Sequence, residues 1–159
     1  MTDKSNNRLI AIDLATSIAP TLSADAEHER RVAIYDLLED NRFTIIGHDA
    51  GPYRLELSTA DGRLIFDIYS QREERVGMIG LSMSPFRRIV KDYFLICESY
   101  FNAIRNAAPS QIETIDMARR ALHNEGSEVL QERLNGKIET DFDTARRLFT
   151  LLCVLLWRH

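Results

Sequence analysis

Apolar positions recur at two different periods along this chain, and the change of period divides it. Between Phe43 and Met83 they largely alternate with polar ones, whereas from Ser84 onward they return at three- and four-residue steps. A period of two places side chains on opposite faces of a strand; a period near 3.6 builds one face of a helix. The first half therefore reads as strands and the second as helices. The stretch 84–106 is the strongest helical signal. Phe86, Ile89, Val90, Tyr93, Phe94, Cys97, Tyr100, Phe101 and Ile104 form its apolar stripe, and Leu95 and Ile96 widen it. That pattern predicts a central helix covered on most sides. Ser84 is a candidate cap and Pro85 suits the first helical position.

The remaining elements follow in order. Arg8 to Leu14 predicts a strand with Ile10, Ile12 and Leu14 on one face. A helix starts near Ser23, buries Ala33, Ile34, Leu37 and Leu38, and ends at Asp40-Asn41. Phe43 to Gly47 is a strand, and His48 to Pro52 is turn chemistry. Asp61-Gly62 between Tyr53–Thr59 and Arg63–Tyr69 predicts a hairpin pairing Thr59 with Leu64, Leu57 with Phe66 and Leu55 with Ile68. A slip by one residue would bring Asp67 onto the apolar face. After a charged turn, Val76 to Met83 is a further strand. Ser110 and Glu113 read as a capping box. The next helix keeps its phase from Ile112 through Gly126 to Leu134, so the glycine marks a close contact rather than a break. Asn135-Gly136 stops it, and Thr140 with Asp143 begins a last helix running almost to His159. The expectation is an α+β fold, an antiparallel sheet meander with helices packed on it, in the order β-α-β-β-β-β-α-α-α.

Composition narrows the class. At 159 residues, 45% hydrophobic and 28% charged, the chain reads as one domain spanning 1–159, with residues 1–7 expected to be disordered. A net charge of -4 gives no strong nucleic-acid signal and no pull toward anionic membranes. The N-terminus lacks the apolar core of a signal peptide, and the apolar run 148–157 is about half the length of a membrane span. Cys97 and Cys153 lie in apolar helical stretches without metal-ligand spacing, as expected of free thiols in a reducing compartment. A cytoplasmic protein without metal or cofactor is the expectation. The run LFTLLCVLLW is apolar on every side, so its helix must be enclosed by the fold or by a second subunit, which raises a homodimer.

Four Arg-Arg pairs sit on four predicted helices. Three have in-helix explanations, Glu27 meeting Arg31, Asp116 meeting Arg120 and Asp143 meeting Arg147. Arg87-Arg88 differs, because the first turn of a helix is where cations are electrostatically unfavourable. With Lys91 one turn on, the pair marks an anion site; the anion is either an internal carboxylate or an external ligand. Arg119 and Arg120 share their helix with His123-Asn124-Glu125-Gly126-Ser127. His123 is read either as a structural histidine tying helices together or as an acid/base with Glu125 as its orienting partner. Its spacing matches no metal motif. Glu56 faces Asp67 across the hairpin, a like-charge pair to be relieved by neighbours such as Arg54.

The stretches GPYRLELS, SPFRRIVKDYFLICESYF, PSQIETIDMARRALHNEGSE and DFDTARRLFTLLCVLLWRH, with EHERRVAIYDLLEDN, resemble an alphaproteobacterial family known as uncharacterised protein family number zero-two-six-two. The resemblance spans nearly the whole chain. It implies a bacterial, cytoplasmic, single-domain protein and carries over no activity, cofactor or catalytic residue. Three functions are therefore carried forward. The first is a non-enzymatic module holding an acidic ligand or partner through Arg87, Arg88 and Lys91, joined by Arg119, Arg120 and His123. The second is a small enzyme acting on a phosphorylated or carboxylated substrate, with His123 as acid/base beside Glu125. The third is an assembly protein using its C-terminal helix.

Overall fold

A computed structural model describes residues 6–14, 24–48 and 51–156. The fold is α+β. Its elements are β1 (Leu9–Leu14), α1 (Ala24–Glu39), β2 (Phe43–Ile45), β3 (Tyr53–Ala60), β4 (Arg63–Ser70), β5 (Arg75–Ser82), α2 (Ser84–Asn106), α3 (Pro109–Leu134), β6 (Ile138–Thr140) and α4 (Phe142–Leu156). Nine come in the expected order; β6 is an addition. The predicted start of α1 at Ser23 lies outside the described residues.

Four strands form one sheet in the order β1-β3-β4-β5. The hairpin has the expected register, Thr59 opposite Leu64, Leu57 opposite Phe66 and Leu55 opposite Ile68. Every second residue then faces the core, where Leu55, Leu57, Leu64, Phe66 and Ile68 are buried. The antiparallel meander covers β3, β4 and β5 only. β1 lies parallel to β3, with α1 in the connection that a parallel pair requires. An irregularity between Leu9 and Ala11 buries Leu9 and turns Ile10 outward to 37% exposure, so Ile10 does not share the inner face with Ile12 and Leu14. β2 leaves the main sheet altogether and pairs antiparallel with β6, Phe43 opposite Thr140. Asn41 anchors the return from α1: its Oδ1 accepts from Leu9 N–H at 2.7 Å, and its Nδ2 donates to the carbonyls of Leu9 (3.0 Å) and Leu37 (2.7 Å).

The outer face of the sheet carries the like-charge pair. Arg54 binds Glu56 at 2.7 Å, Glu73 at 2.7 Å and Asp13 at 3.4 Å, while Arg75 holds Asp67 at 3.1 Å. The guanidinium of Arg54 also lies 4.3 Å from the Tyr69 ring centroid. Glu56 and Asp67 are thus a relieved surface pair, as their neighbours suggested.

Among the helices, α2 buries Phe86, Ile89, Val90, Tyr93, Cys97 and Ala103. It is more one-sided than expected, since Leu95 and Ile104 are 53% and 52% exposed. The core needs a stripe rather than a sleeve, and these two fall on the far side. α3 runs unbroken through Gly126, where the ring of Phe149 from α4 lies against the glycine. Phe149 is fully buried and meets Tyr93 of α2 edge-on at 6.2 Å. One aromatic thereby locks three helices together. α4 buries Leu148, Phe149, Leu151, Leu152, Cys153 and Val154 within its own fold, which satisfies the enclosure that had suggested a second subunit.

Helix starts differ from the sequence reading. Met83, not Ser84, is the N-cap of α2, and it makes no side-chain cap bond; Pro85 does sit in the first turn. The cap of α3 is Ala108, so Ser110 and Glu113 form no capping box. At α4 it is Asp141 that caps, its Oδ1 accepting from Thr144 N–H at 3.0 Å, because Thr140 is committed to β6. Arg30 rather than Arg31 meets Glu27, at 3.1 Å, and Arg147 donates to the Asp40 carbonyl at 3.1 Å. Among the described residues no helix is long and apolar enough to cross a membrane, and no His/Cys/Asp/Glu group is placed to hold a metal.

Candidate functional site

The first turn of α2 is positioned by a backbone bond across the fold: Met83 N–H donates to Gly62 O in the hairpin turn at 3.1 Å. No carboxylate lies in that first turn. The arginine pair that follows splits. Arg88 turns to α3, where its Nη2 lies 3.7 Å from Glu125 Oε1; both side chains are well exposed, so the pairing is weak. Arg87 and Lys91, one turn apart, instead line a groove of about 610 Å³ between the hairpin turn, α2 and the end of α4. Its remaining walls are Gly62, Met83, Val90, Phe94, Leu95 and Leu156. Neither Arg87 nor Lys91 forms an ion pair among the described residues. The internal carboxylate expected for the pair therefore reaches only Arg88.

A second cleft, of about 480 Å³, opens between α1, α3 and α4. Arg119 and His123 reach it from α3, Arg146, Arg147 and Thr150 from α4, and His28, Glu29 and Asp36 from α1. Arg119 lies 4.3 Å from the Tyr100 ring centroid and bonds Asp116 at 2.6 Å. Arg120 shares the same carboxylate and does not line the cleft. The hydrogen bonds from Arg119 and then Arg120 hold Asp116 below the usual carboxylate range.

His123 joins α3 to α4. Its Nε2 is 2.7 Å from Thr150 Oγ1, and its ring meets Phe149 at 5.3 Å and Tyr93 at 5.4 Å. The Thr150 hydroxyl donates to the Arg146 carbonyl at 3.3 Å; with its hydrogen there, Nε2–H donates to Thr150 and Nδ1 carries the lone pair. Nδ1 is buried without a partner. Burial, followed by the nearby charges of Arg146 and Arg119, pushes the imidazole pKa down to about 4, so His123 is neutral at physiological pH. Glu125 pairs weakly with Arg88 and does not line this cleft, so the expected acid/base pair is not brought together there. Beneath the cleft, Tyr93 donates to Glu29 Oε1 at 3.3 Å. Cys97 and Cys153 are buried and free, and burial raises both thiols, Cys97 to about 11.

A family model described as "Uncharacterised protein family (UPF0262)" matches residues 6–158. The chain belongs to this family. A UPF0262 protein of Agrobacterium fabrum is 58% identical over 151 residues, covering 95% of this chain and 96% of the relative. One from Rhizobium meliloti is 60% identical over 153 residues, covering 96% of each. One from Rhizobium etli reaches 64% over 134 residues, covering 84% of this chain and 85% of the relative. No solved structure matches the chain.

In this UPF0262 chain the sequence-marked residues thus divide between two places. Arg87 and Lys91 serve the groove, Arg119 and His123 the cleft, while Arg88 and Arg120 are spent on Glu125 and Asp116. Sequence reasoning did not place His28, Asp36 and Arg146 at a common cleft. No local signal marks them, since they come from α1 and α4, which lie at opposite ends of the sequence.

Proposed function

We propose that this UPF0262 chain is a binding module for a small amphiphilic acid, whose carboxylate or phosphate pairs with Arg87 and Lys91 and whose apolar body lies along the groove. One observation carries the reading: two cations one helical turn apart, without ion-pair partners among the described residues, stand beside apolar walls in a groove of about 610 Å³. Ligand sites are commonly concave, of a few hundred cubic ångströms, mostly apolar, with a few polar groups that fix orientation. Arg87 can hold an oxyanion through two parallel N–H bonds, and Lys91 adds a point charge. Apart from Lys91, which the reading uses as a charge, the groove is lined by no Ser, Cys, His, Asp or Glu, so the reading is recognition rather than catalysis.

The test is isothermal titration with sodium decanoate, with decanol as the uncharged control. Decanoate is expected to bind and decanol to bind much more weakly. The double variant Arg87→Ala/Lys91→Ala is expected to lose about tenfold or more in affinity, since a hydrogen bond to a charged group is worth about 1.5–3 kcal/mol. Both residues are exposed, so the variant should keep its helix content. Equal binding of the alcohol, or no binding of decanoate, refutes the proposal.

A further inference from the structure

The cleft between α1, α3 and α4 has a chemistry distinct from the groove. Its charges are of both signs, Arg119, Arg146 and Arg147 against Glu29, Asp36 and Asp143. Several are already committed. Arg119 is held by Asp116, Arg147 donates to the Asp40 carbonyl, and Glu29 accepts from Tyr93. Three are not: among the described residues Arg146, Asp36 and Asp143 form no side-chain ion pair or hydrogen bond. Asp143 and Arg146 are three residues apart on one helix, the spacing at which such a pair readily closes, yet they remain apart. Arg146 Nε is moreover buried and without an acceptor, and the His123 Nδ1 lone pair is buried without a donor. An unsatisfied buried donor costs about 1–3 kcal/mol and calls for an explanation such as a missing ligand or water.

We infer that this cleft binds a small zwitterion of the free amino-acid class, its carboxylate on Arg146 and its ammonium between Asp36 and Asp143. A plain anion would leave the two carboxylates opposing it, and a plain amine would leave Arg146 unanswered. A molecule carrying both charges satisfies both. Committed Arg119 and Arg147 supply a cationic surround for the carboxylate, and neutral His123, wedged between Tyr93 and Phe149, forms an uncharged wall. The cleft volume of about 480 Å³ accommodates such a molecule with room for water.

The experiment is a thermal-shift panel of the free L-amino acids, each compared with its decarboxylated amine and its deaminated acid. At ten times its dissociation constant a bound amino acid is expected to raise Tm by about 3–6 °C, and neither single-charge analogue should match it. Asp36→Asn and Arg146→Met are expected to weaken binding about tenfold each. Arg87→Ala should leave it unchanged, which separates this site from the groove. Asp36 is exposed on α1, so its variant tests the ligand even if Arg146→Met folds poorly. The inference is overturned if no amino acid shifts Tm, if the acid alone shifts it equally, or if the shift survives Asp36→Asn undiminished.

Discussion

Gly126→Ala isolates the contact that joins α3 to α4. An exposed mid-helix glycine replaced by alanine gains about 1 kcal/mol from helix propensity alone. Here the added methyl would stand 2.6 Å from Phe149 Cε2 and closer still to Cε1 and Cζ, a separation no real side chain adopts. The ring has nowhere to go, because it is fully buried against Tyr93 and His123. Overpacking a filled core costs about 1–3 kcal/mol, and complete loss of a phenylalanine's packing about 3–5 kcal/mol. With the ring partly displaced, about 3 kcal/mol less the propensity gain leaves a net loss of about 2 kcal/mol. For a domain of this size that lowers Tm by about 4–8 °C. Urea unfolding followed by circular dichroism measures it. Gly126→Ala in a Phe149→Leu background should cost less than in the native background, because the smaller side chain makes room, and the double-mutant cycle reads that coupling directly. A Gly126→Ala protein with an unchanged or raised urea midpoint would refute the close contact and the helix packing built on it.

Three further outcomes are expected. The depressed pKa of His123 means that the unfolded chain binds a proton near 6.5 which the folded chain refuses until about 4. Its contribution to stability is therefore complete above about pH 6.5, is lost as pH falls from 6.5 toward 4, and is constant below; the difference in unfolding free energy between wild type and His123→Gln should vary across that window and level off outside it. The imidazole contacts Thr150, Tyr93 and Phe149, the nearby charges of Arg146 and Arg119 reinforce the trend, and Glu29, Asp36 and Asp143 line the same cleft. Cys97 and Cys153 should resist a thiol reagent at pH 8 in the native protein and react at once in denaturant; rapid native labelling of either would contradict their burial. Asn41→Ala strips three hydrogen bonds from the junction of β1 and α1 and leaves Leu9 N–H and C=O without their partner, for a loss of about 2 kcal/mol in chemical denaturation.

Local patterns carried much of this fold. The hairpin register was legible because a two-residue turn and a strict alternation leave one pairing that buries Leu55, Leu57, Leu64, Phe66 and Ile68 together. The span of α2 was legible because its stripe begins at a proline and repeats at helical steps, and α3 kept its phase across Gly126. Periodicity is an energy summed over neighbours, so it survives without tertiary knowledge. The helix caps were less legible. Ser84 has the right chemistry, but the chain enters α2 from a strand whose end is tied to Gly62, and that tie places Met83 at the cap. A three-residue strand such as β6 has no period to read; it exists because β2 offers it an edge from far back in the chain. The direction of β1 likewise depends on where α1 returns the chain. The make-up of the groove and of the cleft belongs to the same class of fact. Sequence marked Arg87, Lys91, Arg119 and His123 by charge and spacing alone. Asp116 answers Arg119 and Arg120 within α3, at the three- and four-residue spacing that the sequence shows, but that Glu125 reaches Arg88 while Arg87 and Lys91 stand unanswered is decided only once α2 and α3 are laid side by side.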